Sequence, residues 1–274
     1  MKHLLLAVIA SGLFLSSFSQ TDSSVKERVD TIRVGRITII KKQGSGGKKD
    51  VDYSVTRSER KQSNVSTNWA IVDIGFTNLN DGTNYGSAAT QAFAPGFTKD
   101  QFKLRTGKSV NVNIWFFMQK LNVVKHVVNL KYGLGLELNN YRFDDKRVRI
   151  QQNPTLFTLD PAWANLSKNK LAADYITVPL MLNFNFTPQR RKGFGFSAGV
   201  SAGYLYASRQ KIKDSNGDKQ KFKDDFDLRP WKLSYIGELN LGPLRLYGSY
   251  AVKSMWEKGF DHKPYNVGIR LSSW

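Results

Sequence analysis

An all-β chain, closed as an eight-stranded antiparallel transmembrane β-barrel with short periplasmic turns and long outer loops, is what three features of this sequence predict. Eight long runs alternate between bulky apolar residues and small or polar ones, a period of two that belongs to strands. The connectors between the runs alternate long and short. An export leader opens the chain.

The leader is MKHLLLAVIASGLFLSSFSQ. Lys2 is its basic flank and Leu4 to Leu15 its apolar run, too short for a membrane-spanning helix. Ser17-Phe18-Ser19 is a small-x-small cleavage site, so residues 1–19 are read as a signal peptide. Residues 20–65 are polar and basic and are read as a periplasmic tail and linker. In it DTIRVGRITIIKK alternates weakly enough to form one strand, and QGSGGKKD has the composition of a flexible linker. Residues 66–274 carry the barrel pattern.

The first run is NWAIVDIGF, with Ala70, Val72, Ile74 and Phe76 on one face. The second, SVNVNIWFFM, sets Val110, Val112, Ile114, Phe116 and Met118 against Asn111 and Asn113. The third, VVNLKYGLGLELNNY, sets Leu130, Leu134, Leu136 and Leu138 against Asn129, Lys131, Gly133, Gly135, Glu137 and Asn139. In the fourth, YITVPLMLNFNF, Ile176, Val178, Leu180 and Leu182 oppose Thr177 and Asn183, and Pro179 predicts a bulge. The fifth, GFGFSAGVSAGYLYAS, carries Phe, Phe, Ala, Val, Ala, Tyr, Tyr on one parity and mostly Gly and Ser on the other. The sixth, PWKLSYIGELNL, opposes Trp231, Leu233, Tyr235 and Leu239 to Lys232, Ser234 and Glu238. The seventh, LRLYGSYAVK, opposes Leu244, Leu246, Tyr250 and Val252 to Arg245, Ser249 and Lys253. The eighth, YNVGIRLS, opposes Val267, Ile269 and Leu271 to Asn266, Gly268 and Arg270. Most runs reach the roughly 9–11 residues that a tilted strand needs to cross a bilayer, beyond the 5–6 usual in soluble sheets.

Alternation does not say which face is outside. Three observations put the apolar face against lipid. First, the polar parity carries Asp73, Lys131, Glu137, Lys232, Glu238, Arg245, Lys253 and Arg270, with both signs on different strands. Opposite charges can pair across a narrow interior, where an unpaired one is costly. The Gly and Ser face of the fifth run leaves room for long Lys and Arg side chains. Second, aromatics gather near run ends. Phe184, Phe186, Phe194 and Phe196 lie beside one short turn, and Tyr204, Tyr206, Trp231, Tyr250 and Tyr265 lie towards the long loops, as two interfacial belts would. Third, the long and short connectors alternate as in outer-membrane barrels. The competing arrangement is a soluble secreted ligand-binding barrel with its apolar face inward.

The 274-residue chain holds 41 Lys+Arg against 22 Asp+Glu, a formal net charge of +19, and no Cys. The lack of Cys excludes a disulfide framework and a thiolate metal site. The charge asks for an anionic partner. Export argues against nucleic acid and leaves outer-membrane lipid and lipopolysaccharide. Arg209, Lys211, Lys213, Lys219, Lys221 and Lys223, in a long loop, are the candidate lipopolysaccharide contacts, partly offset by Asp224, Asp225 and Asp227. In the same loop Asn216-Gly217 predicts a two-residue hairpin turn. Asp214, Asn216 and Asp218 mimic part of a calcium loop, but Lys219 and the missing bidentate Glu break that pattern.

The barrel pattern over Asn68 to Ser272, DTIRVGRITIIKK ahead of it and the ending PYNVGIRLSSW together resemble the Bacteroidetes outer-membrane β-barrel families, including the PorT-like group. The resemblance implies that the last strand, through Asn266, Gly268 and Leu271, is read by the barrel-insertion machinery. Trp274 falls off the outward parity of that strand and departs from the pattern. Fold does not fix activity. Small barrels include lipid A deacylases and palmitoyltransferases, so a lipid-modifying enzyme is an alternative. His3 leaves with the leader, His126 sits in a short turn, and His262 reads as a solvated loop residue with Asp261, Glu257 and Ser254 nearby. No His-x-Ser, HExxH or Gly-rich phosphate motif is present. No catalytic, metal or cofactor site is therefore expected. The expected role is structural or interaction-based at the envelope: envelope integrity, adhesion, or an accessory to secretion or gliding.

Overall fold

The computed structural model describes residues 29–34, 37–43, 51–57, 63–190 and 193–271. The leader, the Gly-rich stretch 44–50 and Trp274 lie outside the described residues. The chain divides into two compact units, Met1–Lys61 and Gln62–Trp274.

The first unit holds a three-stranded antiparallel sheet of β1 (Val29–Val34), β2 (Ile37–Gln43) and β3 (Val51–Arg57), in that order. DTIRVGRITIIKK is thus not one strand but two. Val34 pairs with Ile37.

The second unit runs β4 (Val65–Asp81), the short helix α1 (Ala88–Phe93), β5 (Val110–Val124) and β6 (Val128–Arg142). A small hairpin follows, β7 (Val148–Gln151) and β8 (Leu156–Leu159). Then come β9 (Lys168–Asn185), β10 (Phe194–Lys213), β11 (Lys219–Lys223), β12 (Trp231–Leu241), β13 (Leu244–Ala251) and β14 (His262–Leu271). The eight long strands pair antiparallel in the cyclic order β4-β5-β6-β9-β10-β12-β13-β14, and β14 returns to β4. Every ring strand therefore has two partners, which removes exposed edges.

The alternation anticipated from the sequence is visible in burial. Along β6, Asn129, Lys131, Gly133, Gly135, Glu137, Asn139 and Tyr141 are all buried, and the residues between them are partly exposed. Leu180 and Val200 are about half exposed, at 50% and 49%, whereas Lys131 is at 3%. The apolar parity faces outward.

Three local expectations are corrected. Met118, expected outward, is fully buried inside the ring. The β5–β6 register slips between Trp115 and Phe117, so two consecutive residues, Phe116 and Phe117, point out and Trp115 and Met118 point in. Across the ladder Trp69 and Ala70 are likewise both exposed, with Ala70 at φ 54°. Pro179 makes no bulge, since it stays in register opposite Ser201. Its missing N–H falls on the β6 side, where Gly133 and Leu134 contribute no ladder pair. The slip in this region lies between Leu205 and Ala207 instead. Finally, the Asn216-Gly217 hairpin exists, but its turn is longer than two residues. β10 ends at Lys213 and β11 begins at Lys219, and the Asp218 amide donates to Asp214 Oδ1 at 2.8 Å.

Candidate functional site

The ring interior is built from the inward parity of all eight strands. Its centre holds three carboxylates and three cations. Arg270 on β14 donates through Nε to Asp73 Oδ1 at 2.6 Å and through Nη2 to Asp73 Oδ2 at 2.8 Å, and its Nη1 bonds Glu238 on β12. Lys131 on β6 reaches the other Glu238 oxygen at 2.5 Å. Lys232 pairs with Glu137, and Asn139 and Asn266 donate to the same carboxylate at 3.1 and 3.0 Å. Asp73 also accepts from Trp115 Nε1 at 2.7 Å and Asn113 at 3.2 Å. All six charged groups are buried. Such desolvation is tolerable only because each charge has an opposite partner and further hydrogen bonds.

Six of the eight expected interior charges meet in this network. Arg245 is half-buried, opposite Asn240 near the Gly242-Pro243 turn. Lys253 is a correction: it is exposed, because β13 ends at Ala251 and parity has no meaning beyond a strand's end. The amide members Asn111, Asn113, Asn139 and Asn266 were legible as the polar parity. Trp115 shares the odd parity of Asn111 and Asn113 and falls inward ahead of the slip at Phe116 and Phe117, but an indole does not stand out as a member of a polar face.

Below the charges, Ile71, Trp115, Met118 and Met181 form an apolar layer. Trp115 fits because Gly135 faces it on β6; a Cβ there would lie 2.7 Å from the indole. Between the charges and this layer a cavity of about 30 Å³ remains, lined by Asp73, Glu137, Glu238 and Arg270 among others. That holds about one water.

At the other end the long connections fold inward, which the sequence did not reveal. Phe93, Phe97 and Phe102 follow β4. Phe143, Ile150 and Phe157 follow β6. Phe226 and Leu228 precede β12, and Met255, Trp256 and Phe260 precede β14. All pack into one buried aromatic cluster with Tyr141 and Tyr175 from the ring. Phe157 touches Phe93, Phe97, Phe102, Trp256 and Phe260 at centroid distances of 5.0–6.2 Å. This cluster caps the long-loop end.

His262 is the second correction. It is not a solvated loop residue but the fully buried first residue of β14. Its ring stacks on Phe260 at 4.9 Å. Trp256 Nε1, which can only donate, approaches Nδ1 at 3.0 Å, so the ring proton sits on Nε2. Nε2 faces Tyr85 Oη at 3.2 Å and Asp81 Oδ1 at 3.4 Å. Burial and the Asp81 carboxylate raise the Tyr85 pKa, keeping that hydroxyl a donor to Asp81. Ser254 Oγ donates to the Phe260 carbonyl rather than to the ring. Among the described residues no cluster of three or more His, Cys, Asp or Glu could hold a metal ion.

Outside, the apolar parity makes a continuous exposed surface. Phe184 stacks on Phe196 at 4.7 Å by one short turn, and Tyr204 packs edge-on against Trp231 at 5.1 Å towards the long loops. A closed ring with charges within and apolar side chains without is the inverse of a water-soluble sheet. It defines a protein whose solvent is a bilayer. A family model described as outer membrane protein beta-barrel domain matches residues 62–251, and the chain belongs to that family. Among curated proteins none matches it. The protein is an integral outer-membrane β-barrel protein.

Proposed function

We propose that the chain is an eight-stranded transmembrane barrel with a plugged interior and a structural or interaction role at the cell envelope. Its long connections face outward from the cell and its N-terminal sheet lies in the periplasm. The observation that carries this reading is the paired burial of Asp73, Glu137 and Glu238 with Lys131, Lys232 and Arg270. A solute path would need these groups hydrated, and here they fill the passage. The PorT-like texture of the sequence supports an accessory role to secretion or gliding. The reading is non-catalytic. His262, which has the Asp81 carboxylate beside it, is sealed beneath Phe102, Phe260 and Trp256.

Fractionation with unboiled and boiled gel samples tests the fold. The protein should stay with outer membranes until detergent is added, and should migrate faster unboiled. Release by salt or alkaline washing would overturn the membrane reading. Lipid A mass spectra of a deletion strain should match the parent; a changed acylation pattern would overturn the non-catalytic reading.

A further inference from the structure

We propose that the outward face of the β6-β9-β10-β11 extension is a docking site for the phosphates of a phosphorylated glycolipid whose acyl chains lie on the barrel wall. This rests on the transmembrane reading above.

The extension begins where β9 and β10 pass the Tyr204–Trp231 pair. Beyond the register slip after Leu205, the odd residues of β10 point outward. Directly opposite residues of antiparallel strands share a face. Lys213 lies opposite Lys168 on one side and Lys219 on the other. One step nearer the membrane, Lys211 lies between Lys170 and Lys221, and Arg142 on β6 lies opposite Lys170. Nearer still, Arg209 faces Lys223. The candidate cations from the loop therefore share one face, and three residues not suspected from the sequence, Arg142, Lys168 and Lys170, complete it.

Like charges directly opposite each other destabilise a sheet, so such a grid needs an anion. The neighbouring carboxylates answer little of it. Asp174 pairs with Arg209 at 2.7 Å. Asp214 at the tip accepts from the Asp218 amide. Asp224, Asp225 and Asp227, expected to offset the patch, lie past the end of β11, where Asp227 pairs with Lys258 at 3.0 Å. Lys170, beyond the aromatic pair, has its pKa pushed down to about 8 by burial and by Lys168, Lys211 and Arg209. The opposite face of the ribbon is held down. Gln210 and Ile212 are buried, and Phe222 stacks on Trp163 at 5.9 Å. The cations are thus presented on a fixed surface.

Position selects the lipid as the source of the anion. The grid shares the outward face with the apolar wall and starts just above Tyr204, Tyr206 and Trp231, all exposed. A ligand with phosphates at that height and hydrocarbon below meets both surfaces at once. Charge-assisted contacts to several phosphate oxygens would supply the polar part.

The test uses the full mature chain in nanodiscs containing bisphosphoryl lipid A, dephosphorylated lipid A or phosphatidylcholine alone. The variant is Lys168→Gln/Lys211→Gln/Lys221→Gln, one change per strand, and Lys258→Gln is the control. Bisphosphoryl lipid A retained through detergent washing should fall at least tenfold in the triple variant and stay unchanged in the control. Wild type should retain the dephosphorylated lipid at least tenfold less. Equal retention by triple variant and wild type, or equal retention of both lipid forms, overturns the site. Soluble tripolyphosphate binding the lipid-free protein as tightly as lipid A would overturn the lipid as occupant. Heat-modified mobility is read on every sample: a wild type that never enters the nanodisc sinks the barrel reading, whereas one that enters and ignores the phosphates sinks the docking site alone.

Discussion

Glu238 shows how one residue commits its neighbours. It accepts from Arg270 with one oxygen and from Lys131 with the other, while Ser197 Oγ lies 3.4 Å away. Replacing it by Gln keeps the shape and removes the charge that two buried cations share. Breaking a buried pair by removing one partner costs about 3–5 kcal/mol. Glu238→Gln should therefore lower the free energy of unfolding in lipid by about that amount, read as a lower urea midpoint at unchanged slope. Adding Lys131→Met should recover part of the loss, because one stranded cation is gone and neighbouring substitutions do not add. If Glu238→Gln unfolds like wild type, the network is not structural. Glycine is equally specific at Gly75. A Cβ there would lie 2.3 Å from the Val267 carbonyl and 2.6 Å from Tyr247 Oη, so Gly75→Ala should destabilise by about 1–3 kcal/mol, as overpacking does. These residues were legible in the sequence as members of the inward parity. Their partners were not, because parity places a side chain on a face and says nothing about which strand lies opposite.

Strands were legible as elements because a half-buried strand must alternate, whichever solvent lies outside. What escaped was everything that breaks the period. At the facing pairs Trp69-Ala70 and Phe116-Phe117, both strands turn two successive residues outward. Each adjustment looks in the sequence like an uninterrupted apolar run. Ala70 at φ 54° is in the left-handed region, which costs an L-residue about 1–2 kcal/mol and is worse for β-branched side chains. Ala70→Val adds apolar surface on the lipid-facing wall and would be harmless in a regular strand. Here it should destabilise by about 1–2 kcal/mol in the same unfolding measurement; a neutral result would mean that Ala70 is in ordinary extended backbone. The long connections were legible only as loops, since their apolar residues recur with no strand or helix period. Their aromatic cluster is non-local, joining Phe93, Phe157, Phe226 and Trp256 from four connections. Phe157→Ala removes its central ring and should cost about 3–5 kcal/mol. The loss should appear as protease sensitivity of the connections while the ring strands remain protected.

At the scale of the whole molecule, closure of the ring and filling of its interior are separate facts, and function depends on the second. Eight strands make an interior just wide enough for side chains. Along the axis the passage meets the aromatic cap, then the paired charges, then the layer of Ile71, Trp115, Met118 and Met181. A void of about 30 Å³ beside the charges holds about one water. An ion crossing it would have to part Arg270 from both Asp73 and Glu238, and leave buried charges unpaired. The purified protein in planar bilayers should therefore add no steady conductance above the protein-free membrane, at any voltage the bilayer survives. Trp115→Ala/Met118→Ala removes the two largest inward side chains of β5 from the apolar layer, keeps Ile71 and Met181, and leaves the charge pairs and the cap in place, so it too should remain closed. Arg270→Ala/Glu238→Ala removes the bridging pair while preserving net charge, and combined with those two changes it should introduce measurable leak. Conductance in wild type would mean that the interior is not packed as described. Silence in the quadruple variant with correct heat-modified mobility would assign the seal to the cap, which Phe157→Ala in that background would then open.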